Sequence, residues 1–164
     1  MWDSRSEGDG SYVMEVLMEI TALPSVGEQT TVVAAEPDAV WRGLSQVMGH
    51  SSARATLYAH LVRAADRETS GPRPLAEGST FAGFHVTSAV PGRELVVEGS
   101  HRFSSYALIF HVERTGPGRS LLRAETRAAF PGLAGGLYRR LVISSGGHVI
   151  AVRRLLSSVR RRSE

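Results

Sequence analysis

Histidine is the side chain that most readily exchanges protons near neutral pH and binds metals. This chain has six, at His50, His60, His85, His101, His111 and His148. No two lie within four residues of each other, and no HExxH or comparable short-range ligand pair occurs. The spacing therefore points to no metal site, and no cofactor is expected. In a regular strand His101 and His111 share parity, but the patterning puts both on the wet face of a sheet. His148 is different, because it falls on the apolar face of the C-terminal helical run. A buried imidazole there could act as a general base or orient a ligand carbonyl, the plainer reading being a packed histidine bonded to backbone. Tyr106 and Tyr138 add two phenols that could fix a ligand or move a proton.

Other chemistries lack their residues. Glu98, Glu113 and Glu125 fall on polar strand positions beside Arg123 and Arg127, which suits a cross-strand ion-pair ladder better than a pair of catalytic carboxylates. No serine sits in a GxSxG elbow, and Gly116-Pro117-Gly118 is not a phosphate loop. There is no cysteine, hence no disulfide, thiolate nucleophile or cysteine-ligated metal. All 19 basic residues are arginine, so no lysine can form a Schiff base. Residues 1–50 carry a net charge of −6 and residues 51–164 one of +9. Arg153-Arg154 and Arg160-Arg161-Arg162 could meet an anionic membrane surface. No aromatic residues interleave them, so no nucleic-acid partner is expected.

These residues need elements to position them. The 164 residues, 42% hydrophobic and 21% charged, suit one globular domain. No apolar run approaches the ~20 residues that cross a bilayer. The first residues lack the basic-then-apolar pattern of a secretory signal, which leads to a cytoplasmic expectation. Residues 1–11 read as a polar leader, Met14 could be the true start, and residues 12–23 form a short element of undecided type. The domain itself is expected over residues 24–164, and a homodimer is left open.

Gln29 to Ala35 is a β-branched run that reads as the first strand. Glu36-Pro37-Asp38 then opens a helix, since proline suits its first turn and acids suit its N-terminus. Val40, Trp41, Leu44 and Val47 make its apolar face, with Trp41 packing it onto the sheet, and Gly49 ends it. Ser51 or Ser52 can cap a second helix that presents Ala55, Tyr58, Ala59, Val62 and Ala65 on one face. A loop over 67–80 leads to strands at about 80–90, 93–102, 104–115 and 119–130, whose short connections dictate antiparallel pairs.

Alternation is clearest for Tyr106, Leu108, Phe110 and Val112, and for Leu122, Ala124, Thr126, Ala128 and Phe130. One sheet face is thus core and the other wet. Pro131-Gly132 stops the last strand. Residues 134–161 repeat apolar positions at Leu137, Leu141, His148, Val152, Leu155 and Val159, which reads as one long helix. Gly146-Gly147 in its middle could kink it or admit the sheet closely.

This order resembles the START-like, or SRPBCC, superfamily, which includes polyketide cyclase/dehydrase-like proteins, pollen-allergen-like carriers and lipid-transfer domains. The resemblance rests on Thr31-Val32-Val33-Ala34-Ala35-Glu36-Pro37-Asp38-Ala39-Val40-Trp41, on the strand block from Gly83 to Phe130, and on the closing helix, and it covers residues 28–161. Residues Gly99 to Tyr106, and Phe130-Pro131-Gly132 through Tyr138-Arg139-Arg140, are similar to a bacterial branch without an assigned reaction. No catalytic residue is therefore carried over. The resemblance implies an α+β helix-grip fold, a curved antiparallel sheet wrapped around the C-terminal helix, with an apolar ligand cavity between them.

The candidate ligand-binding residues are Phe84, Leu95, Tyr106, Leu108, Phe110, Phe130, Tyr138, Leu141 and His148. Apolar walls would supply affinity for a hydrophobic or amphipathic small molecule, and Tyr106, Tyr138 or His148 would orient it. Two alternatives stand beside this binding role. One is a cyclase/dehydratase-like enzyme on a polyketide-like substrate; the other is an interaction protein acting through its basic C-terminal helix.

Overall fold

The computed structural model of the chain describes residues 19, 20, 22–50 and 53–164. The leader read over residues 1–11, the alternative start at Met14, the capping serines Ser51 and Ser52 and the side chain of Tyr58 lie outside the described residues. In chain order the elements are β1 (Ser25–Val33), α1 (Pro37–Gly49), α2 (Ala53–Leu61), β2 (Thr80–Phe81), β3 (Phe84–Val90), β4 (Glu94–His101), β5 (Ser104–Gly116), β6 (Arg119–Ala129), α3 (Gly132–Arg139), a π-helical turn (Arg140–Ser144) and α4 (Gly147–Ser163). The six strands form one antiparallel sheet in the order β1-β6-β5-β4-β3-β2. This is the expected helix-grip arrangement, with two short helices after the first strand and the last helix against the inner face of the sheet.

Register places Val112 opposite Leu122, Phe110 opposite Ala124, Leu108 opposite Thr126 and Tyr106 opposite Ala128, so both alternating rows share the inner face. Val40, Trp41, Leu44 and Met48 of α1 and Val152, Leu156 and Val159 of α4 pack onto this face and form the main core with Leu95, Val97, Phe110 and Leu122. The two helices touch closely where Gly43 faces α4, since a Cβ there would stand 3.2 Å from the Val159 carbonyl. The chain end is tied back to the start of the fold. Glu164 Oε1 accepts the Ala34 backbone N–H and the Arg160 Nε–H, each at 2.9 Å.

Three sequence expectations need correction. The outer face is not uniformly wet, because Val96, Ala107 and Ile109 are buried there beneath Ile20 and Leu23. That cover is anchored where Arg127 Nη1 donates to the Leu23 carbonyl at 3.2 Å. The rest of the outer face carries cross-strand charge pairs such as His85 with Glu98 and His111 with Glu94.

The C-terminal helix is not continuous either. A π turn follows α3, and Gly146 then adopts a left-handed conformation (φ 75°) before α4 begins. Glycine takes that conformation without a Cβ clash, which is why the break falls there. Finally, α2 ends earlier than its apolar pattern suggests. Arg63 turns left-handed (φ 56°), its N–H donates to the His60 carbonyl, and the Ala64 N–H donates to the Ala59 carbonyl at 2.8 Å. That pair of bonds is a Schellman cap.

Candidate functional site

Along each central strand the inner face changes character from one end to the other. On β5 the positions run from Val112 and Phe110, packed under α1, through Leu108 to Tyr106 and Ser104. On β6 they run from Leu122 and Ala124 to Thr126 and Ala128. Successive inward positions are about 7 Å apart, so α1 covers only part of the face. Past its last turn, which contributes Val47 and Met48 to the wall, lies a cavity of about 750 Å³ between the sheet, α2, the π turn and α4. Volumes of roughly 300–1,000 Å³ are usual for small-molecule sites.

Small side chains leave this space open. Ala55, Ala59, Ala64, Ala82, Gly83, Ala128, Gly147 and Ala151 all stand in the wall where larger residues would fill it. The wall formed by Ala59, Val62 and Ala64 is held by the Schellman cap of α2. It is pinned to the end of β4 by Ala65 N–H donating to Ser100 O at 2.9 Å and Arg102 N–H donating to Val62 O at 3.3 Å. The opposite wall is α4, with Val142 and Ile143 added by the π turn.

One end of the cavity is aromatic. Phe84 meets Tyr106 edge-on at 5.2 Å, His101 meets Tyr138 edge-on at 4.9 Å, and Tyr138 stacks on Phe103 at 5.4 Å. Tyr138 is thereby docked from α3 onto the β4–β5 hairpin, and Phe130 stands 6.3 Å from its ring.

The polar groups in the wall are largely engaged already. The Tyr106 hydroxyl donates to the Gly83 carbonyl at 2.7 Å. His101 Nδ1 accepts the Phe103 N–H, which puts the proton of a neutral ring on Nε2, 3.2 Å from Ser104 Oγ. His148 Nε2 lies 3.0 Å from Thr126 Oγ1. Burial, reinforced by nearby Arg102, holds the His101 pKa below the ordinary histidine value. Burial alone does the same to His148. Both rings are accordingly neutral at pH 7, and both are oriented by hydroxyls. Among the described residues no Asp or Glu lines the cavity. Among the described residues no group of three His, Asp or Glu side chains comes together as a metal-ligand set.

Of the nine candidates, Phe84, Tyr106, Leu108, Phe130, Tyr138 and His148 stand in the cavity wall. Leu95 and Phe110 do not; they are fully buried in the core beneath α1. Leu141 is 66% exposed, because the π turn rotates it away from the sheet and brings Val142 and Ile143 inward. The patterning puts His101 on the wet face, whereas the structure has it in the cavity wall. The β4–β5 register pairs His101 with Ser104 and Gly99 with Tyr106, so odd positions of β4 share a face with even positions of β5. The parity of His111 therefore says nothing about His101. The two-residue hairpin turn was the signal that could have shown this.

No family model matches the chain, and no curated protein matches it. Solved structures do match in shape. The Zhui aromatase/cyclase from Streptomyces sp. R1128 aligns with a TM-score of 0.55, over 84% of this chain and 94% of its own, at 15% identity. The KanY protein gives 0.53, over 87% and 98%, at 15% identity. A Thalictrum norcoclaurine synthase point mutant, solved with a transition-state analogue, gives 0.51, over 84% and 95%, at 13% identity. At such identities the likeness defines the fold. The chain has the START-like, or SRPBCC, helix-grip fold. Among the described residues no helix is long and apolar enough to cross a membrane.

Proposed function

We propose that the protein binds a hydrophobic or amphipathic small molecule between the sheet and α4. The observation that carries this reading is the cavity of about 750 Å³, walled mostly by apolar and aromatic side chains and, among the described residues, by no carboxylate. Burial of apolar ligand surface contributes roughly 25 cal/mol per Å², so such a wall favours ligands of low polarity. Tyr138, His101 and His148 give the aromatic end its few polar edges, which would orient the guest. Proteins of the same fold include the aromatase/cyclase and the norcoclaurine synthase named above, the latter in complex with a transition-state analogue.

Native mass spectrometry of protein purified without detergent tests this. A discrete extra mass that is lost on denaturation is expected, and Ala128→Trp, which fills the cavity, should remove it. Failure of the protein to take up any extra mass, together with failure to bind the neutral fluorophore 1-aminoanthracene, would overturn the reading.

Two half-buried imidazoles in one cavity, both held toward the neutral form by desolvation, support a second reading, a cyclase or dehydratase in which His101 or His148 takes a proton. Elimination of water would leave a bound product lighter than its substrate by one water. His148→Gln or His101→Gln protein would then retain a ligand heavier by one water than the wild type retains. Identical retained masses would reject that reading and keep the binding role.

A further inference from the structure

The apolar chamber adjoins a polar one. Val47, His50 and Ser158 border the cavity and also border a second recess of about 390 Å³, to which Gln46, Arg161 and Arg162 contribute. On α4, Ala151, Arg154, Leu155, Ser158, Arg161 and Arg162 follow one another at helical spacing along a single stripe. The early part of this stripe is cavity wall, and its end is recess. One helix face thus runs from apolar to cationic without a break.

The arginines of α4 divide by partner. Arg153 Nε donates to Gln29 Oε1 at 2.9 Å, and Arg160 Nε donates to Glu164 Oε1 at 2.9 Å. Arg154, Arg161 and Arg162 meet no carboxylate among the described residues. Among the described residues no Asp or Glu lines either chamber. Arg161 is steadied by its own helix, with Nη2 donating to Ser158 Oγ at 3.1 Å. His50 Nδ1 donates to the Gln46 carbonyl at 2.6 Å, which fixes that ring at the junction of the two chambers. The helix dipole favours cations in the last turn, but that effect fades within one turn and does not reach Arg154. Three cations thus share one stripe, and no ion pair among the described residues offsets them.

We propose that the ligand is an anionic amphiphile, its apolar chain in the cavity and its carboxylate or phosphate head among Arg154, Arg161 and Arg162. This rests on the binding role proposed above and names the class of guest. Arginine suits such a head because its guanidinium presents paired donors that match carboxylate and phosphate oxygens.

The test is displacement of 1-aminoanthracene by amphiphiles that share one tail: dodecanoate, dodecyl phosphate and dodecan-1-ol. A charge-assisted hydrogen bond corresponds to about ten-fold or more in affinity, so both anions should compete at about one-tenth the concentration of the alcohol. Added salt should narrow that gap. In the Arg154→Gln/Arg161→Gln/Arg162→Gln variant the anions should fall to the level of the alcohol measured on that same variant. Equal potency of alcohol and anions in the wild type, or an anion advantage that survives the triple substitution, would overturn the proposal. Displacement by inorganic phosphate alone as effective as that by dodecyl phosphate would make the recess a free-anion site and would also overturn it. Loss of all binding, the neutral fluorophore included, would instead reject the cavity reading on which the proposal rests.

Discussion

Tyr106 occupies the space that a side chain on Gly99 would need. The two residues face each other across β4 and β5, and a Cβ on Gly99 would come within 2.5 Å of the Tyr106 ring and collide with the Gly83 carbonyl. That same carbonyl accepts the Tyr106 hydroxyl. The absence of a side chain on one strand therefore allows the tyrosine of the next to lie across it and cap the β2–β3 turn. Gly99→Ala should cost about 1–3 kcal/mol by overpacking and should weaken ligand uptake, because the ring must move into the cavity. Tyr106→Phe should cost only about 1 kcal/mol, for one hydrogen bond, and leave uptake intact. Urea unfolding and fluorophore titration of both variants separate the two effects.

Arg63 offers a stabilising change. It caps α2 in a left-handed conformation that glycine adopts without strain. Arg63→Gly should raise stability by about 1 kcal/mol, and the Ala59, Val62 and Ala64 wall should remain in place. An increase in the urea midpoint at unchanged slope checks this. A decrease would mean that the Arg63 side chain contributes more than its backbone costs.

His85 should make stability depend on pH. It bridges Glu98 across the β3–β4 pair and Asp66 in the loop after α2, and these two carboxylates push its pKa up to about 9 against the opposing effect of burial. The native state therefore holds a proton that the unfolded chain releases near pH 6.5. The resulting stabilisation is complete below that value and is lost as pH rises through about 9. The His85 side chain is 40% exposed, so solvent screening limits the effect to about 1 kcal/mol. Unfolding free energies of wild type and His85→Gln should differ near pH 6 and converge above pH 9. A constant difference would show that the carboxylates do not hold the proton.

The extent to which these features were legible in the sequence follows from the range of the signals. Two-residue alternation on β5 and β6 reports face, so Tyr106, Leu108, Phe110 and Val112 were correctly grouped. Alternation cannot report where along a face a helix ends, and this is why Phe110 and Leu95 were placed in a cavity that begins one pleat further on. The face of His101 is not legible from the parity of His111, because the hairpin between β4 and β5 resets it. The break before α4 was visible as Gly146-Gly147, but the π turn that turns Leu141 outward has no mark in apolar spacing. The cavity itself was written in alanines, which read as weak helix and strand signals one at a time and define a void only when the fold gathers them.

The boundary between core and cavity gives the last prediction. Phe110 is enclosed on all sides, whereas Leu108 touches the core on one side and the cavity on the other. Truncation of Phe110 to alanine removes apolar burial and leaves a new void, which should cost about 3–5 kcal/mol. Leu108→Ala only widens a space already present, so its cost should stay below about 2 kcal/mol, the low end of the usual range. Binding should respond in the opposite order. Phe110→Ala should leave fluorophore affinity close to wild type in the folded fraction, while Leu108→Trp, which extends into the cavity, should abolish it. If Leu108→Ala proved as costly as Phe110→Ala, the sheet and α4 would be packed together at that level, and the cavity would begin beyond Leu108.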